Sequence, residues 1–443
     1  MDKQYTVDDV IRDIKLKRSG NSLKYSAIHN IIQGYVNGSI PDHQMASWIA
    51  TMDSVGMTFQ EIKYLTRAYV NSGNNSSLQI KNNGNFIVDK HSTGGIGDKV
   101  TLIVAPIVAA CGVSVIKLSG RGLGYAGGTI DKLESIKGLK LNLSCNDIHK
   151  VLETTGMVIA SQSNDLVPGD KAIYNLRDLI GYEDSIPLIA ASIMSKKIAT
   201  AANGLVLDVK SGSGALIEDY AKSRNLAKIM LRLSYEFKIN CRIVLSNMDN
   251  PLGYAIGNLL EVQEALEALK GKNIPYLTEL CFVIARLMIQ TSDPSISEQS
   301  ANSAVQKAID SGVAYNKFLN WIKIQGGNVD QLIKQTSLQN TKYKDVILSK
   351  RNGWIKSINA KIIGIVSMEI SKKIAYNGNI IIDYSTGILL LKHVSDKIKI
   401  GEPIAEIYYN NRDITGTLNN RILESFDISD SPITRTTIVH EIL

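Results

Sequence analysis

Across the first 73 positions the apolar residues recur at helical spacing, with polar residues between them. The pattern predicts a helix from about Val7 to Lys17, stopped by Ser19-Gly20, a second from near Ser22 to before Gly38, and a third after Pro41. A fourth opens with a capping box, Thr58 and Glu61, and ends at Asn71-Ser72-Gly73. Short polar links between them predict a helical bundle. The pattern then changes. Phe86-Ile87-Val88, Val113 to Leu118, Gly156 to Ala160, Leu205 to Val209 and Cys241 to Leu245 read as short strands separated by helical stretches. That alternation argues for a largely parallel α/β sheet. A helical insert, about Pro168 to Thr200, interrupts it and is expected to return to the first helical unit. From about Tyr254 to Ile333 the chain reads as helical again. In the last hundred residues Gly353, Gly364, Gly378, Gly387, Gly401 and Gly416 punctuate short β-branched runs, which predicts a β-rich portion. The expected fold class is α/β. A small helical domain, discontinuous in sequence, takes 1–73 and the insert 163–200. A larger α/β domain with a mixed, largely parallel sheet takes 74–162 and 201–343. Residues 344–443 form its β-rich C-terminal portion.

Composition narrows the function classes. The 443 residues are 44% hydrophobic and 21% charged, enough for two or three domains with real cores. Lys+Arg is 49 and Asp+Glu 42, a net charge of +7 that suits an anionic ligand. The charge is spread thinly, and clusters such as Lys15 to Arg18 lack interleaved aromatics, which weighs against nucleic acid. Cys111, Cys145, Cys241 and Cys281 form no CxxC pair and read as reduced cysteines of a cytoplasmic protein. The six histidines show no metal-ligand spacing. Residues 2–18 carry charges throughout and do not read as a signal peptide. The most apolar run, Thr101 to Ile116, is shorter than the roughly 20 residues of a membrane span and is broken by Pro106 and Gly112. A soluble protein without a membrane partner is expected.

Two glycine-rich loops follow the first two strands. Asp89-Lys90-His91-Ser92-Thr93-Gly94-Gly95-Ile96-Gly97-Asp98 sits at a strand end and opens a helix. Backbone N–H groups there, with glycine allowing close approach, suit a phosphate, to which Lys90 adds a point charge and Ser92 and Thr93 add hydroxyls. The second loop runs from Ser119 to Asp131, and Gly122, Gly124 and Gly127 satisfy GxGxxG, the dinucleotide fingerprint. Its context fits poorly. The glycines should open a helix at once, yet Asp131-Lys132-Leu133-Glu134 comes first. The region around Asp147, where a second strand should end in an acidic residue, reads as a helix start. Two such loops with flanking hydroxyls suit one compact anion better than a dinucleotide.

At these loops the sequence resembles the thymidine phosphorylase and pyrimidine-nucleoside phosphorylase family. The motifs are DKHSTGGIGDK, SGRGLGYAGGTIDKLES, YNLRDLIGYEDSIPLIAASIMSKK, LVLDVKSGSGA, NPLGYAIGNLLEVQEAL and IPDHQMASWIA, which cover most of the chain. The resemblance implies a helical domain, a larger α/β domain, a cleft between them that closes for reaction, and a homodimer through the helical domain. It implies phosphate ligands at Lys90, Ser92, Ser119 and Thr129, and pyrimidine contacts at Arg177, Ser192 and Lys196, with His91 reaching in from the first loop. It also implies a monovalent-cation site using Gly97, Leu252, Ala255 and Glu264. At Lys99 the pyrimidine-nucleoside phosphorylases tend to carry Thr. Either a potassium ion sits there or the Lys99 ammonium replaces it and pairs with Glu264. Inorganic phosphate is a co-substrate, and no organic cofactor is implied.

The residue types agree with reversible phosphorolysis of a pyrimidine nucleoside such as thymidine, deoxyuridine or uridine. Breaking the N-glycosidic bond leaves an oxocarbenium-like sugar and a pyrimidine anion. Arg177 offers a planar fork of donors, Lys196 a point charge, and His91 a proton or hydrogen bond. His91, Arg177 and Lys196 are thus the candidate catalytic residues. Tyr174, one turn before Arg177, packs on either the base or the core. Tyr125-Ala126 stands where the family usually has His-Thr. Taken singly the same residues have plainer readings: Arg177-Asp178 as a surface ion pair, Lys196-Lys197 as a solvated helix face, Ser192 as a packing residue. The competing functional readings are a phosphoribosyltransferase of the related fold, for which Asp131 and Glu134 are the available acidic pair, a dinucleotide oxidoreductase, and a binding protein without turnover.

Overall fold

The computed structural model describes residues 5–73, 86–122, 125, 127–163, 166–200, 202–334, 341–374, 380–411 and 415–443. Gly124 and Ala126 of the second glycine-rich loop, and Gly378, lie outside the described residues. In chain order the elements are α1 (Val7–Arg18), α2 (Tyr25–Val36), α3 (Asp42–Val55) and α4 (Phe59–Asn71), then β1 (Ile87–Ser92), α5 (Val100–Ala110), β2 (Ser114–Ser119), α6 (Thr129–Leu133), α7 (Cys145–Thr155) and β3 (Met157–Ser161). After them come α8 (Pro168–Ile180), α9 (Ile186–Ala199), β4 (Gly204–Ser211), α10 (Tyr220–Glu236), β5 (Asn240–Asn247), β6 (Ala255–Ile256) and α11 (Asn258–Leu269). The chain divides into two compact units. One comprises Met1–Asn83, Gln162–Asn203 and Arg224–Cys241; the other comprises Gly84–Ser161, Gly204–Ser223 and Arg242–Leu443. Arg224–Cys241 therefore packs with the helical unit, although the alternation of elements placed it in the α/β domain.

The helical unit is organised around one buried carboxylate. The Thr58 hydroxyl accepts from the Glu61 N–H and the Glu61 side chain accepts from the Thr58 N–H, closing the capping box of α4. Glu61 is also fully buried and accepts from Lys17 Nζ at 2.8 Å and from the Leu23 N–H at 2.9 Å. A single side chain thus starts α4, anchors the end of α1 and fixes the turn into α2. Trp48, Ile28, Ile31 and Leu65 are buried in the core of the same unit.

In the larger unit a six-stranded sheet runs in the order Val439–Ile442, β5, β4, β1, β2, β3. β1 pairs in parallel with β2 and β4, β2 pairs in parallel with β3, and Val439–Ile442 is antiparallel to β5. The sheet is mixed and largely parallel, as the alternation predicts. Parallel strands present their C-terminal ends along one edge, where ligands of open α/β sheets bind. β1 ends there at His91-Ser92, β2 at Ser119 and β4 at Asp208 to Ser211, with Ser92 in register with Asp208. The C-terminal portion builds an antiparallel four-stranded sheet from β6, Gly387–Leu390, Pro403–Tyr409 and Tyr343–Leu348, and a three-stranded one from Lys397–Ile398, Gly353–Ile358 and Phe426–Ser429. Ile355, Ile358, Ile363, Val366, Ile388 and Ile422 form its core.

Three local expectations change. Thr129–Leu133, read as preceding any helix, is itself a short helix. The β-rich portion also contains two helices, Ala360–Ser371 and Thr415–Glu424. β6 interrupts the stretch read as helical by pairing with Gly387–Leu390 far along the chain. Among the described residues no helix is long and apolar enough to cross a membrane.

Candidate active site

The first glycine loop and the strand leading into it carry the candidate phosphate ligands Lys90 and Ser92. β1 has Val88, Asp89 and Lys90 buried, and Lys90 is only 2% exposed. Its ammonium makes no hydrogen bond, with Asp208 at 3.8 Å and Asp98 at 4.0 Å as its nearest carboxylates. An ammonium with three donors and no acceptor within hydrogen-bond distance has its hydrogen-bonding capacity open to an anion. Behind it lies a second buried lysine. Lys210 Nζ sits 2.8 Å from Asp208 Oδ2 and 3.9 Å from Asp98 Oδ2, while the Ser246 hydroxyl donates to Asp208 Oδ1 at 2.5 Å. The Ser92 hydroxyl donates to Asp98 Oδ2 at 2.6 Å and accepts from the Gly94 N–H. Thr93 stitches the loop to β4: its N–H donates to the Asp208 carbonyl, and its hydroxyl accepts from the Lys210 N–H. Burial opposes the charged form of Asp98. The Lys90 and Lys210 ammoniums and the Ser92 hydroxyl outweigh it and hold the carboxyl well below the usual carboxylate range. Burial likewise works against the charged form of Lys210, but Asp208 and Asp98 raise its pKa above the ordinary lysine value.

The second loop is closed on itself. Asp131 Oδ2 accepts from the N–H groups of Gly122 and Gly128, each at 2.8 Å. Gly128 is required there, since a Cβ would lie 2.3 Å from the Gly122 nitrogen. Ser119 ends β2 and Thr129 opens α6, so the loop joins the two. Arg121 reaches Asp131 at 3.3 Å and Glu134 at 2.8 Å, and the Tyr384 hydroxyl donates to Glu134 at 2.8 Å. Asp131 and Glu134, the acidic pair a magnesium-dependent phosphoribosyltransferase would need, are thus engaged by an arginine, two backbone donors and a phenol.

Of the two occupants expected beside Glu264, the structure has the Lys99 ammonium there. Lys99 is 1% exposed, and its ammonium donates to the Leu252 carbonyl at 2.8 Å, the Ala255 carbonyl at 2.9 Å and Glu264 Oε2 at 2.6 Å. Three donors meet three acceptors, so Leu252, Ala255 and Glu264 do not fit a potassium ion in addition. Gly97, the fourth expected ligand, gives its carbonyl to the Lys99 N–H at 2.9 Å. It has φ +74°, and a Cβ there would meet the Leu252 carbonyl oxygen at 2.5 Å, so only glycine lets the loop approach this closely.

The helical unit holds the remaining candidates. Arg177 is buried on α8, where Nε donates to the Tyr182 carbonyl at 3.0 Å and Nη2 to the Glu183 carbonyl at 2.9 Å. Its surface-pair reading therefore fails: the guanidinium is fixed by backbone acceptors, and burial lowers its pKa from the ordinary arginine value. On α9, Lys196 donates to the Ser192 hydroxyl at 2.8 Å and pairs with the buried Asp170 of α8. Its ammonium lies 5.4 Å from the centre of the Tyr174 ring, whose hydroxyl pKa is raised by burial and then by Asp170. Arg177, Ser192, Lys196 and Tyr174 thus share one unit. Lys90, His91, Ser92, Ser119 and Thr129 share the other. Sequence reasoning passed over Asp98, Asp170, Asp208, Lys210 and Ser246. For Asp208 and Lys210 a signal existed, because two charged residues stand in the otherwise apolar run LVLDVKS.

Three family models match this architecture: the helical bundle domain of the glycosyl transferase family over residues 14–73, its a/b domain over 84–315, and the pyrimidine nucleoside phosphorylase C-terminal domain over 354–429. The fold is also that of the anthranilate phosphoribosyltransferase from Thermus thermophilus, with a TM-score of 0.56 at 16% identity over 70% of this chain and 98% of that one. Fold and family models together define a glycosyl transferase with an appended C-terminal domain. The pyrimidine-nucleoside phosphorylase of Geobacillus stearothermophilus is 37% identical over 97% of this chain and 98% of its own length. That of Staphylococcus haemolyticus is 40% identical over the same shares. This chain belongs to the pyrimidine-nucleoside phosphorylase family.

Proposed function

We propose that this protein catalyses the reversible phosphorolysis of pyrimidine nucleosides, releasing free base and (deoxy)ribose 1-phosphate, in pyrimidine salvage or catabolism. The observation that carries the reading is the buried Lys90 ammonium, without a hydrogen-bond acceptor, at the C-terminal edge of a parallel sheet beside Ser92. Lys90, Ser92, Ser119 and Thr129 hold inorganic phosphate, which attacks the anomeric carbon directly. Inversion follows, and no covalent enzyme intermediate is needed. Arg177, Ser192 and Lys196 hold the pyrimidine. Arg177 and Lys196 stabilise the charge that grows on the leaving base, and His91 donates to it. Such groups accelerate the reaction only by binding the charged transition state better than the neutral nucleoside. The anchoring of Arg177 on two carbonyls supports this role, because a preset donor needs little reorganisation as charge develops.

Lys99 takes the place of a potassium ion, so the enzyme works without added cofactor or monovalent cation. We read it further as a cytoplasmic homodimer through the helical domain, on the family resemblance. Thymidine, deoxyuridine and uridine are the candidate substrates. The test mixes purified protein with thymidine, then uridine, with and without inorganic phosphate, and measures free base. Phosphate-dependent release is expected. No release from either nucleoside by folded protein in saturating phosphate would sink the reading.

A further inference from the structure

Lys90, the proposed phosphate ligand, stands in a buried cluster of four charged side chains. Lys90, Lys210, Asp98 and Asp208 lie within 4.0 Å of one another in a chain of contacts, and all four side chains are at most 8% exposed. Two ammoniums and two carboxylates balance. Asp89, next to Lys90, points to the opposite sheet face by strand alternation. The contacts within the group are unequal. Asp208 is claimed by Lys210 at 2.8 Å and by the Ser246 hydroxyl, and Asp98 is claimed by the Ser92 hydroxyl and the Val100 N–H. Lys90 stands off at 3.8 and 4.0 Å, with no hydrogen bond at all.

We infer that Lys210 is a positioning residue for phosphate: by occupying Asp208 and helping to neutralise Asp98, it keeps the Lys90 ammonium from being consumed by its own carboxylate neighbours. The geometry gives the reason. Remove the Lys210 charge, and among the described residues Lys90 is the one ammonium left within 4.0 Å of the two buried carboxylates, Lys132 acting on Asp98 only from farther off; Asp208, 3.8 Å from Lys90, has then lost its closest partner. Lys90 then closes on Asp208, and the cluster acquires a net negative charge where a phosphate dianion must enter. Buried carboxylates demand a counterion strongly enough to enforce this movement. Ser246 and Thr93 fit the same arrangement, the first holding the far oxygen of Asp208 and the second fixing the Lys210 backbone to the loop.

The inference rests on the phosphorolysis reading but is tested apart from it, by phosphate affinity measured calorimetrically alongside turnover. Lys210→Met should weaken phosphate binding and raise KM for phosphate at least about tenfold, while KM for the nucleoside stays within about twofold. Asp208→Asn should move phosphate affinity the other way or leave it unchanged. The double variant, Asp208→Asn with Lys210→Met, should return phosphate affinity to within about threefold of wild type. A merely structural role predicts that the two substitutions add and that both KM values and kcat suffer together. Unchanged phosphate affinity in folded Lys210→Met overturns the inference, as does a double variant no closer to wild type than the single. If Lys210→Met does not fold, Asp208→Asn and the double variant carry the test. Weaker phosphate binding in Asp208→Asn, or a double variant tenfold weaker than wild type, overturns it. Wild-type protein that binds phosphate but releases no base refutes the functional reading alone. Wild-type protein that binds no phosphate refutes both.

Discussion

Consider Lys99→Thr. In the folded protein the Lys99 side chain is fully buried, and its ammonium satisfies the Leu252 and Ala255 carbonyls and Glu264. The substitution removes the charge and leaves Glu264, only 9% exposed, without its counterion. Breaking a buried ion pair from one side costs about 3–5 kcal/mol. Glu264 keeps the Tyr254 and Ala255 N–H groups at 2.8 and 3.1 Å, so the lower end applies, about 3 kcal/mol. The space vacated is lined by two carbonyls and a carboxylate, the donor set of a hard monovalent cation. Potassium at a hundred times its Kd would return about 2.7 kcal/mol. The assay is thermal unfolding of wild type and variant in potassium chloride and in tetramethylammonium chloride at equal ionic strength. Wild type should not distinguish the salts. The variant should melt roughly 6 °C lower in tetramethylammonium, at about 2 °C per kcal/mol for a unit of this size, and recover most of that in potassium. Specific stabilisation of wild type by potassium would refute the reasoning, because the three acceptors would then not belong to the ammonium. A variant indifferent to potassium would refute the claim that those acceptors form a cation-sized set.

Arg177→Lys should lower kcat/KM for the nucleoside about a hundredfold with KM for phosphate within twofold, because an ammonium cannot hold both the Tyr182 and Glu183 carbonyls and still present a donor to the base; steady-state kinetics in both substrates check it, and a fall confined to the phosphate KM would contradict the assignment. His393 sets a pH dependence of stability. It is 1% exposed, its Nδ1 accepts from the Val394 N–H at 2.9 Å, and its Nε2 faces the Pro251 carbonyl at 3.2 Å, so only the neutral ring fits. Burial pushes its pKa down from 6.5 to about 4. The folded value lies below the unfolded one, so the unfolded chain takes up the proton first as pH falls. The contribution is intact above about pH 6.5 and is lost on the way down through pH 4, about 3 kcal/mol in all. Melting temperature measured against pH should show this loss, and His393→Gln should remove that part of the slope; an unchanged slope would show that other groups cause it.

The helical bundle was legible because its ends are written in side chains: Thr58 and Glu61 announce α4 before any packing is known. The strands were found but cut short. β1 continues past Val88 through Asp89, Lys90, His91 and Ser92 because backbone pairing with β4 does not depend on side-chain polarity. Ala360–Ser371 was hidden for the opposite reason. Its isoleucines and valine suggest a strand, yet the Asn359 side chain caps the first turn and Ile363, Val366 and Ile370 fall on one buried face. β6 could not be read locally at all, since two residues become a strand only by meeting Gly387–Leu390.

Lys90 and Ser92 are legible from the loop chemistry and the other candidates from motif resemblance, but the charges beside Lys90 follow from a rule that needs only the strands. In a parallel strand buried on both faces, each charged residue must find its counterion within the sheet or bind a ligand. Asp208 and Lys210 are two apart on β4, hence on one face, and form an ion pair at 2.8 Å. Lys90 lies on the neighbouring strand in register with Val206, with Ser92 opposite Asp208. The nearest carboxylate is therefore already taken when Lys90 reaches it. A buried lysine whose neighbouring acids are already engaged has its donors left for an anion from solution. The opposite holds at Lys99, where among the described residues no other cation pairs with Glu264, and Glu264 and two carbonyls take all three donors. Two buried lysines on either side of one loop thus divide into a proposed ligand-binding group and a structural one, and what divides them is whether the neighbouring carboxylate is already paired with another ammonium.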